Sequence, residues 1–255
     1  MVGRIATFVY GVVCYAIFFA TFLYAIGFVA NVGVPTSLDS GASGPFWLAL
    51  LVNLGLLTVF ALQHSIMARP AFKRAWTRIV PEPAERSTYV LFSSVALILL
   101  FWLWQPMGGV VWEVTSPTVR ALLQGLCAAG FLTVLVSTFL INHFDLFGLR
   151  QVWLYLRGRP YTHLPFGTPG PYRLVRHPLY VGWLLAFWAA PTMTVAHLVF
   201  TLMTTGYILV AIQLEEADLV QAHGESYRSY RRKVGMLTPR LGRRARARSS
   251  AEAVS

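Results

Sequence analysis

Four apolar stretches, about 5–30, 46–67, 88–106 and 119–141, punctuate the first half of the chain. Each is near the 20 or so residues that carry a helix across a bilayer core. A fifth, about 179–213, is too long for one such helix and too short for two full ones with a loop. Pro191-Thr192-Met193-Thr194 lies near its middle, so the pattern predicts a tight helical hairpin of two short arms. Further on, Tyr227, Tyr230 and Val234 fall at helical spacing on one side, with Arg228, Arg231, Arg232 and Lys233 elsewhere. That pattern predicts a helix lying on an anionic membrane surface. From about Arg240 the chain turns Arg-, Ala- and Ser-rich, which predicts a disordered basic tail over 240–255. The expected architecture is an all-α polytopic membrane bundle of about six segments plus a C-terminal cytoplasmic amphipathic helix. Residues 1–239 would form one domain, since no Ser- or Gly-rich linker and no internal repeat divides them.

Composition agrees: 56% of residues are hydrophobic and 12% charged, far from soluble globular usage. The net charge of +11 does not point to nucleic acid, because the basic residues sit beside apolar spans rather than along one soluble face. It does give an orientation. Residues 31–45 and 107–118 contain no Lys or Arg. Residues 68–87 carry Arg69, Lys73, Arg74, Arg78 and Arg86, residues 142–178 carry Arg150, Arg157, Arg159, Arg173 and Arg176, and nine more basic residues follow Glu216. Under the positive-inside rule the two basic loops and both termini are cytoplasmic, which requires an even number of crossings. The first span lacks a small-residue cleavage site and reads as retained rather than as a signal peptide. Cys14 and Cys127 lie within apolar spans without ligand spacing, so they read as buried and redox-silent, with no metal site expected.

The most informative polar run is Gly170-Pro171-Tyr172-Arg173-Leu174-Val175-Arg176-His177-Pro178-Leu179-Tyr180-Val181-Gly182. It opens the fifth apolar stretch, which closes on Glu215-Glu216. Ionisable residues at a bilayer boundary are costly and point to a functional site. Three further clusters share the cytoplasmic side by charge parity: Gln63-His64-Ser65, Glu85-Arg86-Ser87, and Asn142-His143-Phe144-Asp145 running on to Arg150. Each alone could simply end or cap a helix. There is no GxGxxG after a strand, no P-loop and no HExxH.

The Arg176-to-Gly182 run, the hairpin, Glu215-Glu216 and Gly224-Glu225-Ser226-Tyr227-Arg228-Ser229-Tyr230 together resemble the C-terminal signature of isoprenylcysteine carboxyl methyltransferases and related membrane methyltransferases. The likeness covers roughly residues 160–238. Gln63-His64-Ser65, Met67-Ala68-Arg69, Phe72-Lys73, Pro81, Glu85-Arg86-Ser87 and Tyr89-Val90-Leu91 resemble the bacterial methanethiol S-methyltransferases, which are similar to NnrU-like proteins in this half. The resemblance implies methyl transfer from S-adenosylmethionine to methanethiol, yielding dimethyl sulfide. It implies a cofactor part over about 142–239, with a loop of His163, Leu164, Pro165, Phe166, Tyr172, Arg176, His177, Pro178 and Leu179 and the acidic pair Glu215 and Glu216. In isoprenylcysteine methyltransferases an arginine stands about one helical turn before the glutamate. Here that position is Ala211, which suits a small neutral thiol better than a carboxylate.

A simple alkyl thiol is less acidic than cysteine, whose pKa is about 8.5, so a base or positive potential is expected. The candidates are His143 with Asp145 as orienter, and His64 with Gln63; Arg86 and Arg150 would stabilise the anion. Helix neighbours two apart do not share a face, so a His143–Asp145 pair requires the fourth span to end there. The rival readings are a methyltransferase for a larger lipid or isoprenoid, an NADPH-dependent reductase with a similar hairpin, and a non-enzymatic NnrU-like accessory protein. Anionic headgroups are expected near the basic tail.

Overall fold

The computed structural model describes residues 1–41, 44–162 and 164–240. The predicted tail over 240–255 therefore lies, after Arg240, outside the described residues. Among the described residues five helices are long and apolar enough to cross a membrane: α1 (Val2–Ala30), α2 (Phe46–Ala68), α4 (Glu82–Leu103), α5 (Pro117–Ile141) and α9 (Val195–His223). Shorter helices are α3 (Pro70–Trp76), α6 (His143–Leu146), α7 (Leu149–Leu156), α8 (Pro178–Trp188) and α10 (Glu225–Lys233). Leu51, Trp102, Leu122, Leu132 and Val210 are all exposed on the outside of the bundle. An outward apolar surface of this kind is at home in lipid.

Local sequence chooses the helix ends. Pro70, Pro83, Pro117 and Pro178 sit in the first turns of α3, α4, α5 and α8, where a missing N–H costs nothing. Thr194 caps α9, its Oγ1 accepting from His197 N at 3.1 Å. Asn31 closes α1 in the left-handed conformation. The third span begins six residues before its expected start, because Glu82, Pro83 and Glu85 form a favourable first turn.

The expected hairpin over 179–213 is unequal and splayed. Its first arm, α8, has 11 residues and its second, α9, has 29. The arms touch little; α8 packs along α5 instead. Gly130 and Gly182 make that possible: a Cβ on Gly182 would lie 2.7 Å from Gly130 O, and one on Gly130 2.6 Å from Ala186 N. Elsewhere α4 lies between α1 and α2.

Strand β2 (Thr192–Thr194), at the bend of the hairpin, pairs antiparallel with β1 (Val110–Glu113) from the loop joining α4 to α5. Trp112 Nε1 donates to Ala190 O at 3.1 Å, and Val114 N to Pro191 O at 2.9 Å. Asp39 from the α1–α2 loop accepts from Thr194 Oγ1 and from Asn31 Nδ2, and its Oδ2 lies 3.5 Å from His197 Nδ1. These partners hold the Asp39 carboxyl below the usual range against the cost of its burial. The two loops without Lys or Arg, 31–45 and 107–118, thus gather with the hairpin bend at one end. The shorter apolar helix α8 stands beside the five long helices, against the expected six segments. Among the described residues the α10 helix departs from expectation. Tyr227 is buried and packs with Tyr230 against Phe166, so the apolar side of α10 faces protein rather than lipid.

Candidate functional site

One cavity of about 2280 Å³ opens among the basic loops and runs into the splay between α8 and α9. Its mouth is built on Arg176. The Arg176 Nε donates to Glu216 Oε1 at 2.6 Å, and Nη1 donates to the carbonyls of Val234 (2.6 Å) and Arg231 (3.2 Å). Backbone pairing continues the join: Arg176 N donates to Gly235 O at 2.8 Å and His177 N to Met236 O at 3.2 Å. His177 Nε2 meets the same Glu216 oxygen at 3.1 Å. The α10 segment is therefore stitched to the turn before α8. Tyr230 Oη adds a bond to Tyr172 O at 2.5 Å. Burial, reinforced by the negative charge of Glu216, pushes the Tyr230 phenol up to about 12, so it stays a donor.

The two glutamates part company here. The Glu216 side chain is 5% exposed and spent on Arg176 and His177. Glu215 is 45% exposed and lines the cavity, with Oε2 accepting from Tyr180 Oη at 3.0 Å. Of the other residues singled out for the cofactor, Leu164, Pro165, Phe166, Tyr172, Arg176, His177 and Leu179 line the cavity, while Pro178 is buried behind it. His163 lies outside the described residues. Ala211 also lines the cavity, so the space an arginine would fill is open.

His143, Asp145, His64 and Arg86 line the same cavity. Arg150 stands behind it, its Nη1 2.9 Å from Asp145 Oδ1 and 2.8 Å from Thr162 O. The expected His143–Asp145 pairing does not form. Asn142 Oδ1 accepts from Asp145 N at 3.1 Å and starts α6, turning the Asp145 carboxylate toward Arg150 and Tyr161. The His143 ring instead stacks on Phe139, with centroids 4.1 Å apart, between Thr138 and Tyr15. Thr138 Oγ1 donates to Leu135 O and so accepts from His143 Nδ1 at 2.8 Å, leaving Nε2 to accept from Tyr15 Oη at 2.9 Å. Burial pushes the His143 ring below its ordinary pKa.

His64 repeats this arrangement on the other wall. Ser93 Oγ donates to Tyr89 O, so it accepts from His64 Nδ1 at 3.2 Å, and Tyr89 Oη lies 2.9 Å from Nε2. Arg86 covers the Tyr89 ring, its Cζ 5.0 Å from the centroid, while its Nε donates to Leu146 O at 2.7 Å. Gln63 does not orient His64; its amide reaches Met67 Sδ. Tyr89, Tyr180, Tyr207 and Trp183 also line the cavity. The sequence marks Tyr89 and Tyr180 only within longer motifs and Tyr207 and Trp183 not at all, because an aromatic residue in an apolar span looks the same whether it packs or faces a cavity. Lys73, marked in the sequence by its charge and by the Phe72-Lys73 motif but given no role, lies there too, its pKa lowered by burial and by Arg86.

No family model matches the chain, and no solved structure matches it. Curated relatives do. A methanethiol S-methyltransferase of Crocosphaera subtropica is 57% identical over 95% of this chain and 95% of its own length. One of Mycobacterium tuberculosis is 55% identical over 92% of this chain and 97% of its own. More distantly, Nurim of Xenopus laevis is 30% identical over 66% of this chain and 61% of its own.

Proposed function

The chain belongs to the methanethiol S-methyltransferase family, and from that membership we propose that it transfers the methyl group of S-adenosylmethionine to methanethiol. The products are dimethyl sulfide, S-adenosylhomocysteine and a proton. The single observation at the site that supports this is one cavity joining Glu215 and the Arg176–His177 turn to the His64–Tyr89 pair. Its residues suit the methyl donor. Glu215 offers a cavity-facing carboxylate to ribose hydroxyls or an ammonium group, and Tyr180, Tyr207 and Trp183 offer ring faces to a sulfonium. Arg176, His177 and Glu216 hold the turn in place, and Leu164, Phe166 and Tyr172, which line the cavity beside it, would contact the donor.

The bound donor supplies an electrophilic methyl carbon and a neutral leaving sulfide. The protein aligns the acceptor sulfur with that carbon and takes up its proton. We assign the proton uptake to Tyr89 and His64: the phenol accepts the thiol proton while passing its own to His64 Nε2. Arg86, seated over the Tyr89 ring, favours the thiolate. The new C–S bond forms from the thiolate pair, and the old one breaks toward the departing sulfide. His143 is matched to Tyr15, which stands outside the cavity lining, so its part is to shape the wall. The basic end, with both termini, lies in the cytosol and the β1–β2 end across the bilayer of a bacterial inner membrane. Residues 142–239 supply the donor-binding part of one domain spanning 1–239, and Arg228, Arg232 and Lys233 face anionic headgroups.

The test is headspace gas analysis of cells expressing the chain and fed methanethiol. Dimethyl sulfide should rise well above an empty-vector control, and equality with that control overturns the reading.

A further inference from the structure

The size and lining of the cavity exceed what methanethiol needs. A drug-sized ligand occupies about 300–1,000 Å³, so a nucleoside-sized methyl donor leaves more than half of about 2280 Å³. Methanethiol has two heavy atoms. Part of the remaining space is the charged mouth around Lys73, Arg74 and Glu85; deeper in, the lining is mostly apolar. Beyond Tyr89 and Tyr207 the walls are chiefly Phe22, Leu57, Leu97, Phe101, Trp183 and Phe200, from five different helices, and the hydroxyls of Ser93, Ser94 and Thr204 among them donate back to their own helices. Arg86 and Phe101 both line it, about 22 Å apart along α4 at 1.5 Å per residue. The far end closes on Leu100 and Phe101, both buried. Water gains nothing in such a gallery, and an apolar chain does.

We propose that this gallery receives the apolar tail of thiols larger than methanethiol, so that the acceptors are hydrophobic thiols, linear alkyl and aryl, bound sulfur toward Tyr89 and tail toward Phe101. The inference rests on the thiol methyltransferase reading and extends it to substrate class. The chemistry is unchanged: the thiol loses its proton, sulfur takes the methyl group, and a methyl alkyl sulfide leaves with S-adenosylhomocysteine. Each methylene moved from water to an apolar site is worth about fourfold in kcat/KM.

The experiment measures S-adenosylhomocysteine release by purified full-length protein with methanethiol, propanethiol, hexanethiol and thiophenol. A further arm contains phospholipid vesicles and no thiol. We expect kcat/KM to rise about sixteenfold from methanethiol to propanethiol and to level off as the gallery fills. In Leu97→Trp, which narrows the gallery without touching the polar end, hexanethiol turnover should fall at least tenfold while methanethiol turnover holds. Ala25→Leu, deeper along α1, should act in the same sense and covers the case in which Leu97→Trp fails to fold, which loss of S-adenosylhomocysteine binding would reveal. Methanethiol turnover with flat or falling values for the larger thiols overturns the inference and leaves the proposed function standing. No turnover of any thiol overturns both, as does release of S-adenosylhomocysteine with vesicles alone.

Discussion

Glu215 and Glu216 are adjacent and chemically identical, yet the fold gives them separate work. Glu216 is locked between Arg176 and His177, and removing one partner of a buried pair typically costs about 3–5 kcal/mol. Glu216→Ala should therefore lower the unfolding temperature in detergent, whereas Glu215→Gln should leave it near the parent and weaken S-adenosylhomocysteine binding at least ~10-fold. Equal thermal losses in both would refute the division. Tyr89→Phe removes the hydroxyl that faces His64 and should cut kcat about 100-fold with donor binding intact; Tyr15→Phe should not. His143 yields a stability prediction instead. Burial lowers its folded pKa, so the unfolded chain, with its ordinary value near 6.5, binds more protons below that pH. Its contribution is complete above about pH 6.5 and is lost progressively as pH falls toward the lowered folded value. Melting temperature should drop between pH 6.5 and 5, and His143→Gln should flatten that part of the profile.

The helices show what a linear reading sees and what it misses. Spans α1, α2 and α5 fall within three residues of their apolar stretches, because length and hydropathy decide them. Which helix lies beside which is set by side-chain shape. The Arg176-His177 turn and Glu215-Glu216 stood out in the sequence because charge is expensive beside an apolar stretch. The split between the glutamates did not, since it depends on which side of α9 meets α10. The His143–Asp145 pairing failed because Asn142 caps its own short helix. The tight hairpin was misjudged for a related reason: Gly130 and Gly182 draw α8 onto α5, away from α9. Gly182→Leu should force the backbones apart, costing about 1–3 kcal/mol or more, and should reduce turnover with every thiol by widening the site. A parent-like melting curve for this variant would show that the close approach is dispensable.

At the scale of the whole molecule, charge and hydrogen bonding agree on two ends. The segments without Lys or Arg are tied together by β1, β2 and Asp39, and the basic segments surround the cavity mouth. Cys14 and Cys127 are buried, so introduced thiols can report sidedness. In intact cells a membrane-impermeant maleimide should label Val32→Cys and should label Ile79→Cys only after lysis; both positions are exposed. The reverse pattern would invert the proposed orientation.

The stitching of Arg176 to residues 231–236 has a temporal consequence. Spans emerge from the ribosome in order and can enter the bilayer one by one, but the carbonyls of Arg231, Val234 and Gly235 arrive after the last of them. Insertion and competence are thus separate milestones in the life of the chain. A nascent protein carrying every span is still without the proposed donor site, and such a site could not draw on the cell's methyl supply until the final helix folds back.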